Sequence, residues 1–207
     1  MGLLGRYFNN TRKPDGVMGK MMLVGMNVGH AAVSSWGLSH IADLEPIAIA
    51  ELGCGGGRTA AELLRKYPKA QLVALDYSQA SVEKTRKVNQ VEVDAGRCRV
   101  VQGDVAHLPF QDSRFDLVTA FETVYFWPGP VSSFREVHRV LSPGGTFLIV
   151  NESDGLNPRE DKWTRVIDSL KIYTPSQLRD FLEEAGFSEM QIDHDSEKGW
   201  LALRAQK

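Results

Sequence analysis

The sequence predicts a doubly wound α/β fold, and three observations support it. Short apolar runs alternate with helix-length segments from Ile47 to Val150, the rhythm of a parallel sheet covered on both faces. The first run enters a glycine-rich turn, Glu51-Leu52-Gly53-Cys54-Gly55-Gly56-Gly57, followed directly by a helical segment. The second run, Gln71-Leu72-Val73-Ala74-Leu75, ends on Asp76. A strand, a glycine turn, a helix and an acid closing the next strand make a binding arrangement for a nucleoside-containing cofactor.

Ile47 to Glu51 is expected as the first strand. The helix over Arg58 to Tyr67 should turn Ala60, Leu63 and Leu64 inward and Arg58, Glu62 and Arg65 towards water, and Pro68 stops it. Leu72 to Leu75 is a second buried strand. Ser78 caps a helix running from Gln79 to Glu92. Arg97 to Val101 and Phe115 to Ala120 are the third and fourth strands. Pro130 suits the first turn of the next helix, which continues towards Leu141. Pro143-Gly144-Gly145 predicts a turn before a fifth strand, Thr146 to Val150.

The rhythm breaks after that. Asn151 to Glu160 has loop composition, and Asp161 to Leu170 suits a short amphipathic helix. Thr174 and Gln177 have the spacing of a capping box, Pro175 fills the first helical position, and Gly186 ends that helix. Ser188 to His194 and Trp200 to Ala205 read as two strands, and their short link favours an antiparallel pair at one sheet edge.

A chain of 207 residues accommodates one well-buried domain with an appended segment. Residues 1–45 form that segment, a cap or substrate-binding region ahead of a core at 46–207. Four of the six methionines lie between Met18 and Met26, interspersed with glycine. Flexible thioethers suit a mobile cap, and they equally suit an ordinary packed amphipathic segment. The net charge of -2 argues against a broad nucleic-acid interface. Cys54 and Cys98 supply no disulfide framework and no zinc-ligand spacing, so no metal and a reducing compartment are expected. The apolar run Met21 to Val24 is cut short by Asn27 and His30, and Met1 to Asn10 lacks a secretory core. No membrane partner and a cytoplasmic location follow as expectations.

Gly53, Gly55 and Gly57 admit turn geometry and close approach of a ligand to the backbone. Asp76 offers acceptors to both hydroxyls of a ribose. The competing interpretation is a tight turn beside a solvated aspartate.

The ordered series of motifs resembles the class I S-adenosylmethionine-dependent methyltransferases. Glu51 to Gly57 resembles their first glycine-rich motif, with Gly56 where a serine or threonine is often found. Leu75-Asp76-Tyr77-Ser78 resembles the acidic ribose-binding segment, and Gly103-Asp104-Val105 with Leu108-Pro109-Phe110 the adenine-side motif. Phe115-Asp116-Leu117-Val118 and Leu141-Ser142-Pro143-Gly144-Gly145 complete a match over about residues 47–150. The resemblance implies a Rossmann-like, seven-stranded mixed sheet with an antiparallel strand near the C-terminus. It implies S-adenosylmethionine as cofactor. Glu51, Gly53 and Gly55 would border its methionine end, Asp76 its ribose, and Tyr77, Asp104 and Val105 its adenine. Gly57 belongs to the same glycine motif, and Phe121 and Glu122 would border the methionine portion.

Glu122-Thr123-Val124-Tyr125-Phe126-Trp127-Pro128 follows the fourth strand, where an open α/β sheet presents ligands. Tyr125, Phe126 and Trp127 suit an apolar substrate wall, or an anchor for the next helix. The segment does not resemble the Asn/Asp-Pro-Pro-Tyr/Phe motif of amino-directed nucleic-acid methyltransferases, so a small-molecule acceptor is expected and no nucleic acid. Gly29-His30 and Trp36-Gly37-Leu38 resemble a small-molecule branch of the family, which adds Trp36 to the substrate candidates. His30, His40 and Glu122 are the candidates for taking a proton from an acceptor. Each histidine could equally satisfy a buried backbone group. The expected reaction is direct in-line methyl transfer. The alternatives are a noncatalytic S-adenosylmethionine-binding regulatory or scaffold protein, and an NAD(P)-dependent oxidoreductase. The latter lacks support from any Tyr-x-x-x-Lys pair.

Overall fold

A computed structural model describes residues 30–157, 164, 167 and 169–207. The Met-rich stretch, and most of the helix expected over 161–170, lie outside the described residues. The elements in chain order are α1 (Ala31–Ser39), β1 (Ala48–Leu52), α2 (Arg58–Lys66), β2 (Gln71–Asp76), α3 (Gln79–Val88) and α4 (Gln90–Asp94). Then come β3 (Cys98–Gln102), β4 (Phe115–Phe121), a 3-10 turn (Val124–Phe126), α5 (Pro130–Val140) and β5 (Leu141–Asn151). The chain closes with α6 (Pro175–Glu184), β6 (Ser188–Asp195) and β7 (Trp200–Gln206).

The seven strands form one sheet in the order β3-β2-β1-β4-β5-β7-β6. β1 to β5 run parallel. β6 and β7 form the expected antiparallel pair at one end of the sheet, with β7 antiparallel to β5 and β6 outermost. Successive side chains on a strand point to opposite faces, and the core divides accordingly. Phe147 and Ile149 join Phe134, Val137, Leu178 and Leu182 on one face. Leu148 and Val150 join Val33, Ala60, Leu63 and Val82 on the other. Helices therefore cover both faces, as the unbroken apolar runs of a parallel sheet require.

The order in which strands are added reverses between β1 and β4, since β2 and β3 are laid to one side and β5 to the other. That switch point opens a crevice at the carboxyl ends of the strands.

Three local expectations change. Glu62 is buried rather than turned to water, because Arg58 one turn earlier holds it at 2.8 Å. The helix from Gln79 stops at Val88, where the Asn89 side chain turns back to the carbonyls of Gly57 and Thr85. β5 already begins at Leu141, and its register shifts opposite Phe115 and Leu117, so Pro143-Gly144-Gly145 forms an irregularity within the strand. The capping box at Thr174 and Gln177 is present in full. No helix among the described residues is long and apolar enough to cross a membrane.

Candidate functional site

A cavity of about 260 Å³ lies at the carboxyl ends of β1, β2 and β4. Its floor is the glycine turn. The amides of Gly53 and Cys54 donate to the Leu75 carbonyl at 2.7 and 3.0 Å, stitching the turn to β2. The Gly55 amide donates to one oxygen of Asp76 at 2.9 Å, and the Ser78 amide to the other at 2.9 Å. From behind, the Thr85 hydroxyl donates to the Gly55 carbonyl at 3.1 Å. β2 and α3 thus hold the turn in place beneath the cavity.

The carboxylates around the cavity are electrostatically unusual. Glu51 is 1% exposed and accepts a hydrogen bond from the Thr119 hydroxyl. Burial pushes its carboxyl up to about 8, and the Thr119 bond offsets only part of that. Burial also raises Asp76, against the opposing pull of the Ser78 and Gly55 amides. Glu122 is raised well above the carboxylate range, chiefly by burial and next by repulsion from Glu152. Its Oε1 is buried with no hydrogen-bond partner. Cys54 and Cys98 are free and buried, and burial lifts both thiols away from the thiolate form a nucleophile needs.

The cavity brings together Glu51, Gly53, Gly55, Asp76, Tyr77, Asp104, Val105, Phe121, Glu122, Phe126, Trp127 and His30. Four other sequence candidates do not line it. Gly57 backs onto α3, where an added Cβ would come within 2.7 Å of the Thr85 Cα. Tyr125 is buried, and its hydroxyl accepts from the Ser153 amide at 3.0 Å, so it fastens the loop after β5. Trp36 packs against His40 and Trp200. His40 is held by the Trp36 carbonyl at 3.0 Å and by Asp193 at 2.8 Å, which ties α1 to β6.

Sequence reasoning did not single out Ser34, Thr123 or Glu152. Ser34 and Thr123 line the cavity, and Glu152 approaches His30, its Oε1 lying 3.4 Å from the imidazole Nε2. A signal for Glu152 was present. It follows the apolar run of β5 as Glu122 follows that of β4, and adjacent parallel strands bring such residues side by side.

Residues 50–149 match a family model described as a methyltransferase domain. The chain is 34% identical over 138 residues to the fatty-acid O-methyltransferase of Mycolicibacterium smegmatis, a match covering 66% of this chain and 47% of that protein. It is 27% identical over 164 residues to cycloartenol-C-24-methyltransferase 1 of Oryza sativa subsp. japonica, covering 73% and 47%. The chain therefore spans about half the length of these curated relatives. Among solved structures, it resembles a chain of the complex between the Haloferax volcanii Trm112 methyltransferase activator and a methyltransferase, with a TM-score of 0.79 and 21% identity. That match covers 90% of this chain and 93% of the other, and establishes likeness of fold.

Proposed function

We propose that this chain, which belongs to the class I S-adenosylmethionine-dependent methyltransferase family, transfers the methyl group of S-adenosylmethionine to a small-molecule acceptor by direct in-line displacement. The observation that carries the proposal is the single cavity in which the glycine turn, Asp76, Asp104 and the acidic end of β4 converge.

The residues present fit this cofactor. A Cβ at Gly55 would meet nothing closer than the Gly53 carbonyl oxygen at 3.9 Å, so the turn leaves room for a ligand against its backbone. A carboxylate has about four lone-pair sites, so Asp76 keeps capacity for ribose hydroxyls after accepting two amides. Glu51, buried beside Gly53, suits the cationic amino end of a methionine moiety. Tyr77, Asp104 and Val105 would border adenine, and Phe121 and Glu122 the methionine portion. When bound, the cofactor supplies an electrophilic methyl on a sulfonium, and its passage to a nucleophilic atom leaves a neutral thioether.

The chain's own contribution is orientation and exclusion of water. Phe126 and Trp127 wall the cavity beside Glu122 and suit an acceptor with an apolar body. The relatives, one named for a fatty acid and one for cycloartenol, are consistent with such acceptors. His30 and Glu122 line the cavity, which supports them as the residues that handle the acceptor's proton. His40, engaged by Asp193, is left to a structural role. α1 brings His30 and Ser34 to the cavity, which supports residues 1–45 as a cap or substrate-binding segment over a core at 46–207.

The test is incubation of the full chain with methyl-labelled S-adenosylmethionine and a metabolite extract. Label in a low-mass product, with one demethylated cofactor formed per methyl, is the expected result. Cofactor binding without transfer to metabolite, protein or RNA acceptors would favour the noncatalytic alternative.

A further inference from the structure

We propose that His30, Glu122 and Glu152 form a binding site for a divalent metal ion at the acceptor end of the cavity. The sequence gives no local sign of it, because the three residues are 92 and 30 positions apart. The sheet assembles them. Phe121 of β4 pairs with Val150 of β5; β4 ends there and β5 one residue later, at Asn151. The Glu122 amide donates to the Val150 carbonyl at 2.9 Å, which fixes the start of the turn that carries the Glu122 carboxylate. His30 stands at the N-terminal end of α1, its Nε2 3.4 Å from Glu152 Oε1.

One donor atom from each of the three residues lies within 4.8 Å of the other two. Donors on a six-coordinate ion with bonds of about 2.1 Å lie roughly 3–4.2 Å apart, so small side-chain movements close the site. Glu122 supplies an independent indication. Its Oε1 is buried and has no hydrogen-bond partner among the described residues. A buried carboxylate oxygen left bare is expensive, and coordination would satisfy it. Bound to a metal both carboxylates are ionised, as ligands must be, and their two negative charges balance a divalent ion. One imidazole with two carboxylates suits manganese, ferrous iron or zinc rather than a thiolate-seeking ion.

The proposal deepens the methyl-transfer function and rests on it for the ion's role. His30 and Glu122 line the cavity, so the remaining coordination positions open towards the acceptor. A coordinated hydroxyl ionises more readily than a free one. Its O–H bond would break and the proton would pass to water by way of the exposed Glu152. The oxygen lone pair would then form the new bond to methyl as the carbon–sulfur bond breaks and sulfur keeps that pair. The acceptor class is accordingly an oxygen acceptor able to reach the ion.

The test uses the full chain, stripped with a chelator, dialysed and titrated with Mn²⁺. Free ion is followed by electron paramagnetic resonance. One saturable Mn²⁺ per chain is expected, with affinity lowered at least about tenfold in Glu152→Gln and in His30→Ala, since even outer-sphere partners of a metal matter by that much. In the parent, pulsed spectra should show coupling to one imidazole nitrogen, a signal that needs no variant to fold. A folded parent with no saturable Mn²⁺ binding, or with binding but no imidazole coupling, would overturn the proposal. Titration of the same sample with S-adenosylmethionine separates the two ideas. Cofactor binding without Mn²⁺ sinks the metal site alone. Mn²⁺ bound through His30 without cofactor binding sinks the methyl-transfer function and leaves the site standing.

Discussion

The Gly55 amide donates to the Asp76 carboxylate at 2.9 Å, joining the turn after β1 to the end of β2. The same carboxylate is the expected ribose acceptor. One side chain therefore shapes the turn and lines the cavity, and burial makes its ionisation sensitive to what it contacts.

Gly55 and Gly57 should respond differently to substitution. Both have positive φ, 48° and 80°, so alanine at either position carries backbone strain of about 1–3 kcal/mol. At Gly57 the new Cβ would also lie 2.7 Å from the Thr85 Cα, whereas at Gly55 its nearest neighbour is the Gly53 carbonyl oxygen at 3.9 Å. Gly57→Ala should lower the thermal midpoint more. Gly55→Ala should lose more cofactor affinity per degree of midpoint lost. Thermal scans paired with calorimetric titration check this, and equal behaviour of the two variants would contradict it.

Glu51 should make stability fall as pH rises. Its folded-state value of about 8 lies above the ordinary 4.5, so between those values the folded chain holds a proton that the unfolded chain has released. The stabilisation is fully present below the unfolded value and is lost as pH rises towards 8. Glu51→Gln keeps an acceptor for Thr119 and removes the titration. Urea unfolding at pH 5 and pH 8 should show a smaller loss in the variant than in the parent, by an amount on the order of a few kcal/mol. Identical losses would show that Glu51 is ionised throughout.

Trp127 belongs to the core as well as to the cavity wall. It is 5% exposed and stacks on Phe147 at 6.1 Å, with Phe134 at 5.8 Å. Trp127→Ala should therefore remove about 3–5 kcal/mol of stability, and its kinetics would mix unfolding with acceptor binding. Trp127→Phe is the informative variant. It should retain S-adenosylmethionine binding while raising the acceptor KM. An unchanged KM would take Trp127 out of the acceptor site.

Much of the fold was legible because its signals are local. Apolar runs marked β1 to β5, Asp76 marked the end of β2, and Thr174 with Gln177 spelled out a cap that is present in full. The cavity lining was legible where glycines and acids follow strands. Long-range partners hid the rest. His40 is occupied by Asp193, 153 positions away. Tyr125 is fixed by the Ser153 amide. Asn89 ends α3 by reaching back to Gly57. Glu62 is the local exception, buried through its pairing with Arg58 one turn earlier. Glu152 gains its place only when β5 is set beside β4.

Calorimetric titration of the full chain with S-adenosylmethionine, and separately with NAD⁺, tests the central claim most directly. The expected result is saturable one-to-one binding of S-adenosylmethionine and none of NAD⁺. Asp76→Ala should weaken that binding roughly ten- to a hundredfold, because each hydrogen bond to a charged group contributes about 1.5–3 kcal/mol. Saturable NAD⁺ binding with no response to S-adenosylmethionine, from a sample shown to be folded, would contradict it.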